Sequence, residues 1–150
     1  MPVPHGLPDP LRDAQFYAGA GARRLIAFCL DAVAVAALTV AATLVATLMT
    51  FGAALALVAP IWLTVGFLYR WLSLSRWSAT PGMRLTGVEA RDLRGEPLGG
   101  AQAAAHTAGF VAACLFVLPQ IVSVALMATR PDGRALHDLA AGVALINRPA

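Results

Sequence analysis

The chain has 150 residues, 59% of them apolar and only 13% charged, with a formal net charge of +3. A soluble domain carries about 25% charged and about 45–50% apolar residues, so a soluble globular enzyme is a poor fit. Every cation is an arginine, and the arginines flank apolar runs without forming an aromatic-interleaved basic face, which argues against nucleic-acid binding and for a membrane surface.

Residues 1–20 read as a polar, proline-rich tail, unstructured or lying at the interface, with Phe16 and Tyr17 placed to touch headgroups. No short apolar core precedes a cleavage site there, so no cleavable signal peptide is expected. Residues 25–69 form the first apolar block, and Asp31 is its only charge. As helix this block would be roughly 67 Å long, enough for two crossings of a hydrocarbon core of about 30 Å. A tight turn is expected at residues 50–52, with helices over about 24–49 and 53–72 and Pro60 inside the second. Tyr69, Arg70, Trp71, Arg76 and Trp77 look like an interfacial belt where that helix leaves the membrane.

Residues 76–96 are charged and solvated, and the alternation from Met83 to Glu89 with the turn Arg94-Gly95-Glu96 predicts a short surface hairpin or extended loop. The second apolar block, residues 97–129, has no charge. Its core, 101–128, would be roughly 42 Å of helix, long for one crossing and short for two. Pro119-Gln120 interrupts it, leaving either a single kinked crossing or a broken re-entrant hairpin. A turn at Pro131-Asp132-Gly133, a short helical turn from Arg134 to Leu139 and a β-like run from Val143 to Ile146 close the chain. The expected fold class is an all-α membrane protein: a transmembrane helix hairpin, a third apolar helical block and a small cytoplasmic β-like element.

The arginines fall at residues 12–24, 70–94 and 130–148. All three groups prefer the cytoplasm, which favours a third block that returns and places both termini inside. Asp31 is the most unusual residue, because a carboxylate near the centre of a membrane helix costs about 2.5–3.5 kcal/mol. Arg24 lies two turns earlier on the same face, so the pair could share a water or a third group. His106 is four residues after Gln102 and can share its helix face. His137 and Asp138 are adjacent and should point in different directions. Cys29 and Cys114 sit inside apolar runs and suggest neither a disulfide framework nor a metal pair. With no Ser-His-Asp set, paired CxxC, HExxH or P-loop, neither enzyme activity, nor a cofactor, nor a metal is expected.

Three segments carry a resemblance. The stretch from Arg24 to Asp31, the run Thr80-Pro81-Gly82-Met83-Arg84-Leu85 and the run from Gly133 to Gly142 resemble, in order, the motifs of the RDD family of bacterial membrane proteins. The likeness covers about residues 17–147, so the chain divides into a tail, 1–20, and an RDD-like membrane domain, 21–148. The family is named for one arginine and two aspartates, which the resemblance assigns to Arg24, Asp31 and Asp138. His106 stands near where many members carry an arginine. The resemblance implies a multi-pass inner-membrane protein, with ligand transport proposed for the family and sodium/proton antiport linked to some members.

Two functions stay open. One is a small transporter or transporter subunit, exchanging a small cation for protons through Asp31 and assembled as a homo-oligomer or with other membrane proteins. The other is a non-transporting scaffold in which Arg24, Asp31 and Asp138 form a structural clasp. His106, His137, Arg134 and Arg84 are secondary candidates in either, and the lipid bilayer is the common partner.

Overall fold

The structure is a computed structural model that describes residues 6–148. Its first long helix, α1 (Ala20–Met49), has no Gly or Pro after Gly21 and is rich in Ala and Leu, the best helix formers. The buried residues Ala27, Asp31, Val35, Thr39 and Thr43 recur every four positions and form one stripe. Leu25, Ile26, Leu30, Val33, Leu44 and Leu48 face outward instead. Small residues at the contact and large apolar ones outside are the pattern of a helix packed in lipid.

The chain reverses at Thr50 to Gly52, where expected, with Phe51 at φ +46° and Gly52 at φ +96°. After one 3-10 turn (Ala53–Leu57), α2 runs from Val58 to Trp77, not over 53–72. The late start puts Pro60 in the first turn, where its missing N–H has no helical partner to lose. Both α1 and α2 are long and apolar enough to cross a membrane.

Residues 76–96, expected as a short surface hairpin or extended loop, hold a helix, a strand and the expected turn. Thr80 caps a short helix, α3 (Pro81–Thr86), its hydroxyl accepting from the Met83 N–H at 3.2 Å. The Met83–Glu89 alternation therefore spans two elements, the end of α3 and the strand β1 (Val88–Asp92). The Arg94-Gly95-Glu96 turn is present and returns the chain so that Pro97 bridges to Arg91. The partner of β1, however, is β2 (Val143–Asn147), antiparallel, in register from Val88↔Asn147 to Asp92↔Val143.

The second apolar block is two helices, α4 (Gly100–Leu115) and α5 (Val117–Thr129), bent by 114°. The break falls at Phe116, three residues before the proline that causes it. Pro119 cannot bond to the Leu115 carbonyl, and its ring clashes with that carbonyl, so the helix stops there and restarts with the proline in its first turn. Trp71 Nε1, near the end of α2, donates to the Gly100 carbonyl at 3.0 Å. Arg24, near the start of α1, donates to the Gly133 carbonyl at 2.8 Å, just past α5. The two ends of the block thus lie at one end of the α1–α2 pair, and of the two sequence readings the returning one holds.

A last short helix, α6 (Leu136–Ala141), leads into β2. The apolar core at this end joins Ala27, Leu74, Met83, Val88, Leu98 and Val143. The N-terminal segment packs here too. It holds a 3-10 turn (Ala14–Phe16), Tyr17 donates to the Pro8 carbonyl at 2.9 Å, and the Asn147 amide donates to the Gln15 and Ala18 carbonyls. Residues 6–20 are therefore structured against the C-terminal strand, unlike the free tail expected, while residues 1–5 of that tail lie outside the described residues.

Candidate functional site

Asp31 is buried where α1 passes the N-terminus of α3. Its Oδ1 accepts from the Tyr69 hydroxyl and the Gly82 N–H, both at 2.8 Å, and its Oδ2 from the Thr80 hydroxyl at 2.5 Å. The carboxylate thus takes an N–H that α3 cannot satisfy internally, in the favourable field of a helix N-terminus. Gly82 makes the approach feasible: a Cβ there would lie 2.4 Å from the Ala27 carbonyl oxygen.

Asp138 is fully buried in the first turn of α6 and collects three donors, with a second imidazole close by. The Arg24 guanidinium reaches Oδ2 at 2.6 Å, and the Ala135 N–H reaches the same oxygen at 2.8 Å. His106 Nε2 lies 2.8 Å from Oδ1 and His137 Nε2 lies 3.3 Å from it. His137 and Asp138, expected to point in different directions, come within 3.3 Å for a local reason but form no hydrogen bond. Asp138 folds back onto the N-terminus of its own helix, and that brings its carboxylate beneath the neighbouring imidazole. Gly109 lets α4 sit close to this helix, since a Cβ there would be 3.1 Å from the His137 Cβ. Gln102 and His106 do share a face: Gln102 Nε2 donates to the Ala141 and Gly142 carbonyls while His106 meets Asp138.

Burial by itself pushes the Asp138 carboxyl up, but the His106 hydrogen bond and the Arg24 charge override it and hold the group below the usual carboxylate range. An ionised Asp138 only accepts, so the His106 Nε2 bonded to it carries a proton. Burial lowers His137 to about 4, outweighing the attraction of Asp138. His137 is therefore neutral at pH 7. The unfolded chain binds its proton at about pH 6.5, before the folded chain does, so folding weakens as pH falls from 6.5 towards 4. We expect a loss of about 3 kcal/mol across that window from this group. Thermal unfolding at stepped pH should show His137→Gln removing most of the slope; an unchanged slope would exclude His137 as its source.

The charged residues named by the sequence thus separate into two sites. Arg24 joins Asp138, not Asp31, and Asp31 joins α3. Arg134 braces the second site, its Nε donating to the Val143 carbonyl at 2.7 Å and tying the α6 turn to β2. Arg84 is exposed, 5.5 Å from the centre of the Trp77 ring, and belongs to neither. Tyr69, Thr80 and Gly82 were not anticipated as Asp31's partners. Thr80-Pro81 carried a usable signal, because an N-cap residue followed by Pro marks a helix start.

The Arg70 side chain, expected in an interfacial belt, turns inward. It projects into the bundle with its guanidinium carbon 3.9 Å above the Phe110 ring centre, and it has no hydrogen-bond or ion-pair partner among the described residues. It borders a cavity of about 220 Å³ that Arg24, Asp31, His106, Gln120 and His137 also line. His106 Nδ1, His137 Nδ1 and the Ser123 hydroxyl are buried without partners, so the walls suit water or a small polar solute. His106, His137 and Asp138 each offer one ligand atom, all within 4.8 Å of one another, and are the described residues that could hold a metal ion. Of these atoms His106 Nε2 and Asp138 Oδ1 are already paired with each other.

The sequence model of the RDD family matches residues 17–142, most of the chain. No curated protein and no solved structure matches it.

Proposed function

The chain belongs to the RDD family, and from that premise we propose that it is a non-transporting integral membrane scaffold whose three family charges act as two separate clasps. The observation that carries this reading is the saturation of both carboxylates. Asp31 and Asp138 each hold three donors, and each joins segments far apart in sequence. A cation entering either carboxylate would have to displace a donor that holds the fold together. The arginine-rich end, where the segment 14–20 meets the strand β2, faces the cytoplasm of a bacterial inner membrane under the positive-inside rule. The outward apolar faces of α1 and α2 meet lipid.

A second reading, proton-coupled exchange of a small cation, draws on one observation: the 220 Å³ cavity is lined by Arg24, Asp31, Arg70, His106 and His137, a set of ionisable groups. Flux measurements on purified chain in sealed vesicles decide between them. The scaffold reading expects no proton-coupled sodium or potassium flux above empty vesicles, and lower thermal stability in Asp31→Asn. Flux in the wild-type chain that disappears in a folded, equally stable Asp31→Asn chain would overturn the scaffold reading in favour of exchange.

A further inference from the structure

Arg70 presents an unsolved electrostatic problem. An arginine within a membrane helix normally pairs with an acid or a backbone carbonyl, because an uncompensated cation there is expensive. Arg70 has a stacked ring and no acceptor among the described residues. Asp31, the acid that lines the same cavities, is already ligated by Tyr69, Thr80 and Gly82.

Arg70 also closes one end of a groove of about 690 Å³ between α1, α2 and α4. That volume lies within the range of roughly 300–1,000 Å³ usual for ligand sites. Its walls are Val35, Trp62, Leu63, Gly66, Phe67 and Val111, and Val58 lines the end away from Arg70. Val58 to Arg70 along α2 is roughly 18 Å at 1.5 Å per residue. Trp62 and Leu63 are about half exposed, so the groove opens sideways towards lipid. Polarity runs one way: at the end nearer Arg24 stand a guanidinium with unused donors and the Asp31 carboxylate, which its own three donors already hold, and an apolar trough leads from them along α2.

We propose that this groove binds an anionic phospholipid, its phosphate on Arg70 and one acyl chain lying along α2 towards Val58. Charge complementarity selects the acid, since guanidinium and phosphate form multiple charge-assisted hydrogen bonds. The trough selects a tail, and its direction matches a lipid of the leaflet on the Arg70 side. The site depends on membrane embedding alone and stands whether or not the chain carries flux.

The test is native mass spectrometry of the full chain in mild detergent, offered phosphatidylglycerol and phosphatidylcholine in equal amounts. Wild-type chain should retain phosphatidylglycerol in preference. Arg70→Gln should lower that retention roughly tenfold, the scale of losing one charge-assisted contact. Gly66→Leu leaves Arg70 in place but fills the trough, and retention should fall similarly; it also decides the matter if Arg70→Gln does not fold. Equal retention of both lipids, or a folded variant of either kind that holds lipid like wild type, overturns the proposal. So does inorganic phosphate that displaces phosphatidylglycerol completely at low millimolar concentration, because the site would then read the anion without its tail.

Discussion

Asp138→Ala should leave little folded protein in the membrane, and the loss should exceed that of any other single change in the charge clusters. The reason is what remains behind. Arg24 would keep only the Gly133 carbonyl, His106 would lose its acceptor, and the Ala135 N–H would be buried unpaired. Breaking a buried ion pair from one side costs about 3–5 kcal/mol, against a total stability of about 5–15 kcal/mol for an ordinary domain. The opposite truncation is milder. In Arg24→Met the carboxylate still holds His106 and the Ala135 N–H. Arg24→Lys should fall between that variant and wild type, since one ammonium cannot span both Asp138 and Gly133 as the forked guanidinium does. Size-exclusion profiles and melting temperatures in one mild detergent should rank the variants in that order. A monodisperse Asp138→Ala chain melting like wild type would remove the clasp as a structural element.

How much of this was legible in the sequence depends on the range of the interaction. The α1–α2 hairpin was, because its signals are local: charge-free runs of the right length and a short turn at Gly52. The break in the third block was legible in cause, but its position lies upstream because a proline acts on the carbonyl four residues before it. The β1–β2 pairing was hidden by distance. Two five-residue strands separated by the whole third block carry no local mark of partnership, and the Met83–Glu89 alternation pointed to a local hairpin instead.

The site divides in the same way. Arg24, Asp31 and Asp138 stood out by chemistry, as charges beside or within apolar runs. Which acid the arginine meets was set by where α3 and α6 fold back, and no spacing rule on α1 reveals that. Arg70 shows a signal that was present and missed. It lies four residues before the fully buried Leu74 and four after Gly66, so helical periodicity already placed it on the inward face of α2. Grouping it with Trp71 and Arg76 followed composition where register was the better guide.

Gly82→Ala is the substitution for which local propensity and packing give opposite signs. Gly82 lies within the helix α3 and has no left-handed φ, so on propensity alone alanine should stabilise it by about 1 kcal/mol. Packing forbids this. The added Cβ would stand 2.4 Å from the Ala27 carbonyl oxygen and 2.7 Å from Asp31 Oδ1, and the first of these is backbone of a long helix that cannot yield. Then α3 must lift away from α1, which opens the Gly82 N–H and Thr80 hydroxyl bonds to a carboxylate that stays buried. Overpacking costs about 1–3 kcal/mol, and each lost hydrogen bond to the charged group adds about 1.5–3 kcal/mol. The expected result is a melting temperature well below that of wild type, close to that of Asp31→Ala, which opens the same joint from the other side. Combining the two should cost less than their sum, because once the carboxylate is gone α3 has less to lose by moving. Gly21→Ala is the matched control, with open space around its Cβ and the same helical propensity at stake, and it should be neutral or mildly stabilising. A Gly82→Ala chain as stable as Gly21→Ala would mean that α3 is not held against Asp31 at all, and the first clasp would fail with it.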